Sequence, residues 1–158
     1  MPKSASRIKN LTHATLAFVT MPGVVAYAIP LAWAWYCNLS ISRPVGLLAC
    51  LMGTLGLISC TVEFLVRGKG TLAPWKPPGR LVSSGLYRWT RNPMYLCVCT
   101  VIMGWGASFN SRALVGYAVV LAAVFHLRVV FGEEPWLERI FPEQWPEYRR
   151  SVPRWLSR

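Results

Sequence analysis

Aspartate is missing altogether from this 158-residue chain, and six glutamates stand against seventeen lysines and arginines, giving a formal charge of +11. Internal repeats and low-complexity tails are also lacking, which excludes solenoid architectures, and the length suits one domain, not two. Such basicity suggests nucleic acid or an anionic membrane surface as the partner. The apolar runs between the basic blocks decide for the membrane, because nucleic-acid binders rarely carry twenty-residue apolar segments. No nucleic acid and no obligate protein partner is therefore expected.

Cysteine is present but offers little. Cys37, Cys50, Cys60, Cys97 and Cys99 are odd in number, lie in or beside apolar runs and follow no zinc spacing. On a helix, Cys97 and Cys99 point about 200° apart and cannot chelate together. They read as small core residues, and no metal is expected.

What is there in quantity is apolar surface, 54% of the residues. Four runs emerge: 16–37, 44–66, 93–109 and 113–131. A helix needs about 20 residues to cross the hydrocarbon, so three qualify and the third must borrow from its flanks or sit in thinned bilayer. The third is read as a span, with half of a re-entrant hairpin as the alternative. Lys3, Arg7 and Lys9 precede the first run and Ala32-Trp33-Ala34 mimics a cleavage site, but the run continues past it. A retained helix is expected there.

Charge sets the orientation. Three basic residues precede the first run, six lie between Arg67 and Arg91, and six from Arg128 onward; Arg43 and Arg112 alone fall elsewhere. With four spans, fifteen of the seventeen share one side, which the positive-inside rule makes cytoplasmic, with both termini. The expected fold is an all-α integral membrane protein, one domain over 1–158, with a folded cytosolic loop at 67–92 and an interfacial helical segment at 132–158.

The loop "RGKGTLAPWKPPGRLVSSGLYRWTRNP" is too rich in Gly and Pro for one long helix and too apolar for disorder. At its end, Asn92 is a favoured N-cap and Pro93 a favoured first helical residue. Free amides from Met94 and Tyr95 onward should then face the loop, an arrangement that holds an anion. Arg88 and Arg91 add charge, and Tyr87, Trp89 and Tyr95 add flat faces. The same residue types also describe an interfacial anchor, and both readings stand at this level.

Five of the six acids lie in 132–158. Glu133-Glu134 falls where the last run ends and offers what an ammonium or ribose hydroxyls require. Pro135 is expected to restart a helix, with Trp136, Leu137, Ile140 and Phe141 on the membrane surface and Trp145, Tyr148 and Trp155 extending that face. Glu63 and Arg67 are spaced for a structural ion pair. His126 reads equally as functional or packing, and His13 as surface.

Together, "GKGTLAPWKPPGRLVSSGLYRWTRNPMYL" and "EEPWLERIFPEQWPEYRRSVPRWL" resemble the two signatures of the isoprenylcysteine carboxyl methyltransferase family, which includes bacterial phospholipid methyltransferase-like proteins. The similarity covers roughly residues 63 to 156. It implies S-adenosylmethionine bound on the cytosolic face by Arg80, Leu81, Val82, Tyr87, Asn92, Pro93, Met94, Tyr95 and Glu133. Arg91, Glu134 and Arg128 are the expected catalytic or acceptor-orienting residues. Departures accompany it: Asn92 where many relatives carry His, Pro142 for Gly, Trp145 for Tyr, Leu72 for a frequent Pro, and Arg128 on a different face from the family's arginine near Val129. These detach the reading from a prenylcysteine acceptor and leave the cofactor. The resulting expectation is a bacterial inner-membrane methyltransferase acting on a lipophilic or lipid acceptor. The alternatives are an NADPH-dependent membrane reductase of related architecture and a non-enzymatic anionic-lipid binder.

Overall fold

A computed structural model describes residues 22–67 and 81–156. Arg80, His13, the N-terminal basic cluster and the first half of the loop, Leu72 included, lie outside the described residues. Within them the chain is helical, without strands. Helix α1 covers Val24–Tyr36, α2 Gly46–Arg67, α3 Pro93–Ser108, α4 Arg112–Ile140 and α5 Trp145–Ser151. A 3-10 turn at Gly85–Arg88 precedes α3.

The inward stripe of α2 is Gly46, Cys50, Gly53, Leu57 and Cys60, alternating steps of four and three that keep one narrow face toward a neighbour. That neighbour is α3. A Cβ on Gly53 would lie 2.8 Å from the Cys97 carbonyl oxygen, and one on Gly104 would lie 2.7 Å from the Cys50 nitrogen. Small residues thus let the two backbones touch, the packing mode of helices that have no hydrophobic drive between them. The opposite face of α2, with Leu48, Leu51, Met52, Leu55, Ile58 and Val62, is exposed, as are Val119, Val120, Val124, Leu127 and Phe131 on α4.

Helix α3 is the centre of the molecule. Val98, Val101 and Ile102 are buried with Leu57 of α2, Ala118 of α4 and Ala26 of α1. Its 16 residues extend about 24 Å, short of a full crossing as the sequence predicts. By length and composition, Gly46–Phe64 and α4 suffice to cross a bilayer, whereas α3 and Val24–Tyr36 are shorter.

Two prolines shape the helices by the same device. Pro30 and Pro135 each follow a π turn, at Val24–Ala28 and Val129–Glu133, in which the residue before the proline donates five residues back: Ile29 N–H to the Val24 carbonyl, Glu134 N–H to that of Val129. Widening the turn makes room for the ring that would otherwise strike the preceding carbonyls. In α1 the freed acceptors find partners elsewhere. Trp105 Nε1 donates to the Ala26 carbonyl at 3.1 Å, and the Tyr117 hydroxyl to that of Val25 at 3.2 Å. In α4 the π turn corrects an expectation. Pro135 does not restart a helix after a break: α4 runs without interruption to Ile140.

A second correction concerns the C-terminal aromatics. Phe141, Trp145, Tyr148 and Val152 form a small core of their own, against which Leu81, Leu137 and Ile140 pack. Trp145 is 1% exposed. These rings therefore do not extend a surface-lying aromatic face; α5 folds back on the end of α4, and burial against each other outweighs a place at the interface.

Candidate functional site

The stretch from Gly85 to Tyr95 divides by exposure. Gly85 takes a left-handed φ of +60°, and Glu63 stands where its Cβ would be, 2.8 Å away at Cγ. Glu63 accepts from Ser84 Oγ at 2.7 Å and pairs with Arg67 at 3.1 Å, the ion pair the i,i+4 spacing predicts. Arg88 lies over the Trp89 ring at 5.2 Å, and both are exposed. Tyr87, Thr90 and Asn92 are buried. Exposed and buried residues thus share one short segment.

The inward residues meet the segment after α5, residues 152–156, which forms a C-terminal strap. The carbonyl of Pro153 accepts from the Arg91 backbone N–H at 2.9 Å. The Arg154 carbonyl accepts from Thr90 Oγ1 at 3.1 Å and from Asn92 Nδ2 at 3.0 Å. Helix α3 begins at Pro93 as expected, but the Asn92 side chain makes no capping bond. It holds the strap instead. The buried Tyr148 hydroxyl donates to the Tyr87 carbonyl at 2.8 Å, and burial pushes its pKa up, so it stays a neutral donor.

At the centre is a carboxylate between two guanidiniums. Arg91 Nη1 reaches Glu134 Oε1 at 2.8 Å; Arg154 bonds both oxygens, Nε at 2.7 Å and Nη2 at 2.8 Å. The side chains of Arg91 and Glu134 are each 10% exposed. Arg91 also lies over the Trp145 ring at 5.5 Å, and its buried Nε has no partner among the described residues. The clamp joins the loop, the end of α4 and the strap, each from a different part of the sequence.

Beside it is a more open cluster. The Tyr95 hydroxyl donates to Glu133 Oε1, which also accepts from Arg128 Nε at 3.0 Å. The Tyr95 ring stacks on Phe125 with centroids 4.3 Å apart, fixing α3 against α4. Glu133 and Arg128 side chains are 35% and 50% exposed, and the second oxygen of Glu133 accepts no bond among the described residues. Trp155 Nε1 donates to His126 Nδ1 at 3.1 Å, the rings stacked at 6.2 Å.

The structure thus brings Arg91, Asn92, Tyr95, Arg128, Glu133 and Glu134 into one region. Val82 and Tyr87 lie deeper, packed with Cys60, Phe64 and Met94, and Leu81 sits against the C-terminal core. Residue-by-residue reading overlooked Arg154, Thr90 and the His126–Trp155 contact. Only a partial signal existed: a glutamate buried after an apolar helix needs cations, and the closing signature supplies Arg149, Arg150 and Arg154 without singling one out. Among the described residues no group of three or more His, Cys, Asp or Glu comes together.

The phospholipid methyltransferase family matches residues 41–144. The cobalt-zinc-cadmium resistance protein CzcN of Cupriavidus metallidurans is 30% identical over 114 residues, 72% of this chain and 48% of that protein. The nickel-cobalt-cadmium resistance protein NccN of Alcaligenes xylosoxydans xylosoxydans is 32% identical over 114 residues, 72% of this chain and 49% of that one. The chain spans about half the length of these curated relatives. No solved structure matches. The match from Ile41 to Gln144 covers three helices and all the acidic residues of both clusters, and on it the chain belongs to the phospholipid methyltransferase family.

Proposed function

We propose that this protein is an integral membrane methyltransferase that uses S-adenosylmethionine and modifies a lipophilic acceptor at the cytosolic face. The observation that carries the reading is the half-exposed Tyr95–Glu133–Arg128 cluster, held beside the buried Arg91–Glu134–Arg154 clamp at one end of the apolar helices. Family membership supports the reaction class. The exposed apolar faces of α2 and α4 support the membrane setting.

The groups present fit that cofactor chemically. The second carboxylate oxygen of Glu133 accepts no bond among the described residues and is an acceptor for ribose hydroxyls or an ammonium. The first amides of α3, from Met94 and Tyr95, suit a carboxylate. Leu81 and Met94, both partly exposed, are apolar flanks for a base, and Val82 and Tyr87 hold that wall from behind; Arg80, in the same motif, is proposed as a further contact. When bound, the cofactor supplies a methyl group already activated by its sulfonium.

The protein's part is then positioning and exclusion of water. Arg91 and Glu134, bonded to each other while Glu134 is also held by Arg154, act by fixing Asn92 and Glu133 on either side. Arg128, half exposed and bonded to Glu133 through Nε, can turn its other guanidinium edge to an anionic group of the acceptor. With four spans, fifteen of the seventeen basic residues share one side, which supports an acceptor at the cytoplasmic leaflet of a bacterial inner membrane.

Calorimetry with purified protein tests the reading: S-adenosylmethionine should bind, and Glu133→Ala should weaken it tenfold or more. Incubation with methyl-labelled cofactor and host lipid extract should yield a labelled lipid-soluble product. Absence of cofactor binding, together with an inert Glu133→Ala, overturns it.

A further inference from the structure

The basic residues of α5 and the strap are not absorbed by this function. A cavity of about 380 Å³ is lined by Arg91, Arg149, Arg150 and Arg154, with Val152, Pro153 and Trp155. Four guanidiniums in one hollow repel each other unless an anion compensates them. The carboxylate bonded to them is Glu134, which occupies one edge of Arg91 and three donor contacts in all. Arg149 has no carboxylate within ion-pair distance among the described residues. Arg150 spends its Nε on the Pro146 carbonyl at 3.2 Å and borders a neighbouring hollow that includes Glu143 and Glu147.

Two further observations point to a ligand. The Arg91 side chain lines the cavity and its buried Nε has no partner among the described residues, which costs desolvation energy unless something accepts from it. Burial and the fields of Arg154 and Arg149 also lower the Arg91 pKa, against the opposite pull of Glu134, so the crowding of positive charge is felt at that group. A carboxylate has two oxygens and one charge, too few for the fork donors that remain. A tetrahedral dianion has three or more acceptor oxygens and matches several guanidiniums at once.

We propose that the cavity framed by Arg91, Arg149, Arg150 and Arg154 is a binding site for a phosphate group, separate from the cofactor-binding residues around Glu133. The phosphate is carried by a lipid headgroup or is free in solution. Trp155 in the cavity wall and the exposed Leu156 after it give a lipid-borne phosphate an apolar neighbour.

The full chain in neutral detergent is titrated calorimetrically with inorganic phosphate and with short-chain phosphatidate, using short-chain phosphatidylcholine as the comparison. Saturable binding of phosphate or phosphatidate is expected, weakened at least tenfold in Arg149→Gln/Arg150→Gln, severalfold in Arg149→Gln alone, and within twofold of the parent in Arg139→Gln, which removes the same single charge as Arg149→Gln from elsewhere on the exposed surface. Phosphatidate binding tenfold tighter than phosphate assigns the site to lipid; equal affinities assign it to the free anion. No saturable binding of either, or equal weakening by Arg139→Gln, overturns the proposal. Because Arg149 and Arg150 are exposed, the double variant should keep the parent's unfolding temperature and its affinity for S-adenosylmethionine. Loss of cofactor binding in the parent with phosphate binding intact would count against the proposed methyltransferase and not against this site.

Discussion

Arg154 grips Glu134 with two parallel hydrogen bonds, 2.7 and 2.8 Å, across twenty residues of sequence. The pair closes the C-terminal strap over the start of α3, because the same residue's carbonyl holds Thr90 and Asn92. One residue thereby works through both its backbone and its side chain.

Glu134→Ala should leave Arg91 and Arg154 facing each other without compensation. Breaking a buried pair in this way costs about 3–5 kcal/mol, tempered here by the partial exposure of Arg154. The expected result is a lower unfolding temperature in detergent and early proteolysis of residues 141–156. Glu134→Gln, which keeps an acceptor oxygen, should fall between.

Tyr95→Phe separates two duties of one ring. The stack on Phe125 survives, so stability should change by less than about 1 kcal/mol. The hydroxyl to Glu133 is lost, and cofactor affinity should drop severalfold in the proposed reaction. Tyr95→Ala should lower both. Equal effects of the two substitutions on cofactor binding would show that the hydroxyl is idle.

Trp105→Phe removes the donor to the Ala26 carbonyl, which Pro30 cannot replace. An acceptor left unpaired in apolar surroundings costs about 1–3 kcal/mol. The measurement is thermal unfolding, and Pro30→Ala in the same background should restore part of the loss by returning an amide to that carbonyl.

Gly104→Leu should be strongly damaging, since a Cβ there already meets the Cys50 nitrogen and the Gly46 carbonyl oxygen at 2.7 Å. Overpacking typically costs about 1–3 kcal/mol, and rigid backbone on the far side places this case at the upper end. Accessibility of Cys60, fully buried in the parent, to a thiol reagent reports the separation of α2 from α3.

The helices were legible from their apolar runs, and the start of α3 from Asn92-Pro93, because those features are local. The ion pair of Glu63 with Arg67 was legible for the same reason. The clamp was not. Its members lie at 91, 134 and 154, and nothing local distinguishes Arg154 from Arg149 or Arg150 until the strap is in place. The placement of Trp145 and Tyr148 was misread because an aromatic residue looks alike in a core and at a membrane interface; only the fold-back of α5 decides. The continuity of α4 was missed because Pro135 has the signature of a helix start, and a π turn leaves no distinctive composition.

That π turn also sets a phase. A residue added to a helix rotates everything after it by about 100°, and the extra one within Val129–Glu133 aims Glu134 at Arg91 while Glu133 meets Tyr95. Deleting a single residue there would swing both carboxylates off their partners without touching either one. The spacing between the last apolar run and the glutamate pair is therefore as much a part of the site as the glutamates themselves, and homologues that keep the pair but change that interval by one are expected to have lost the arrangement.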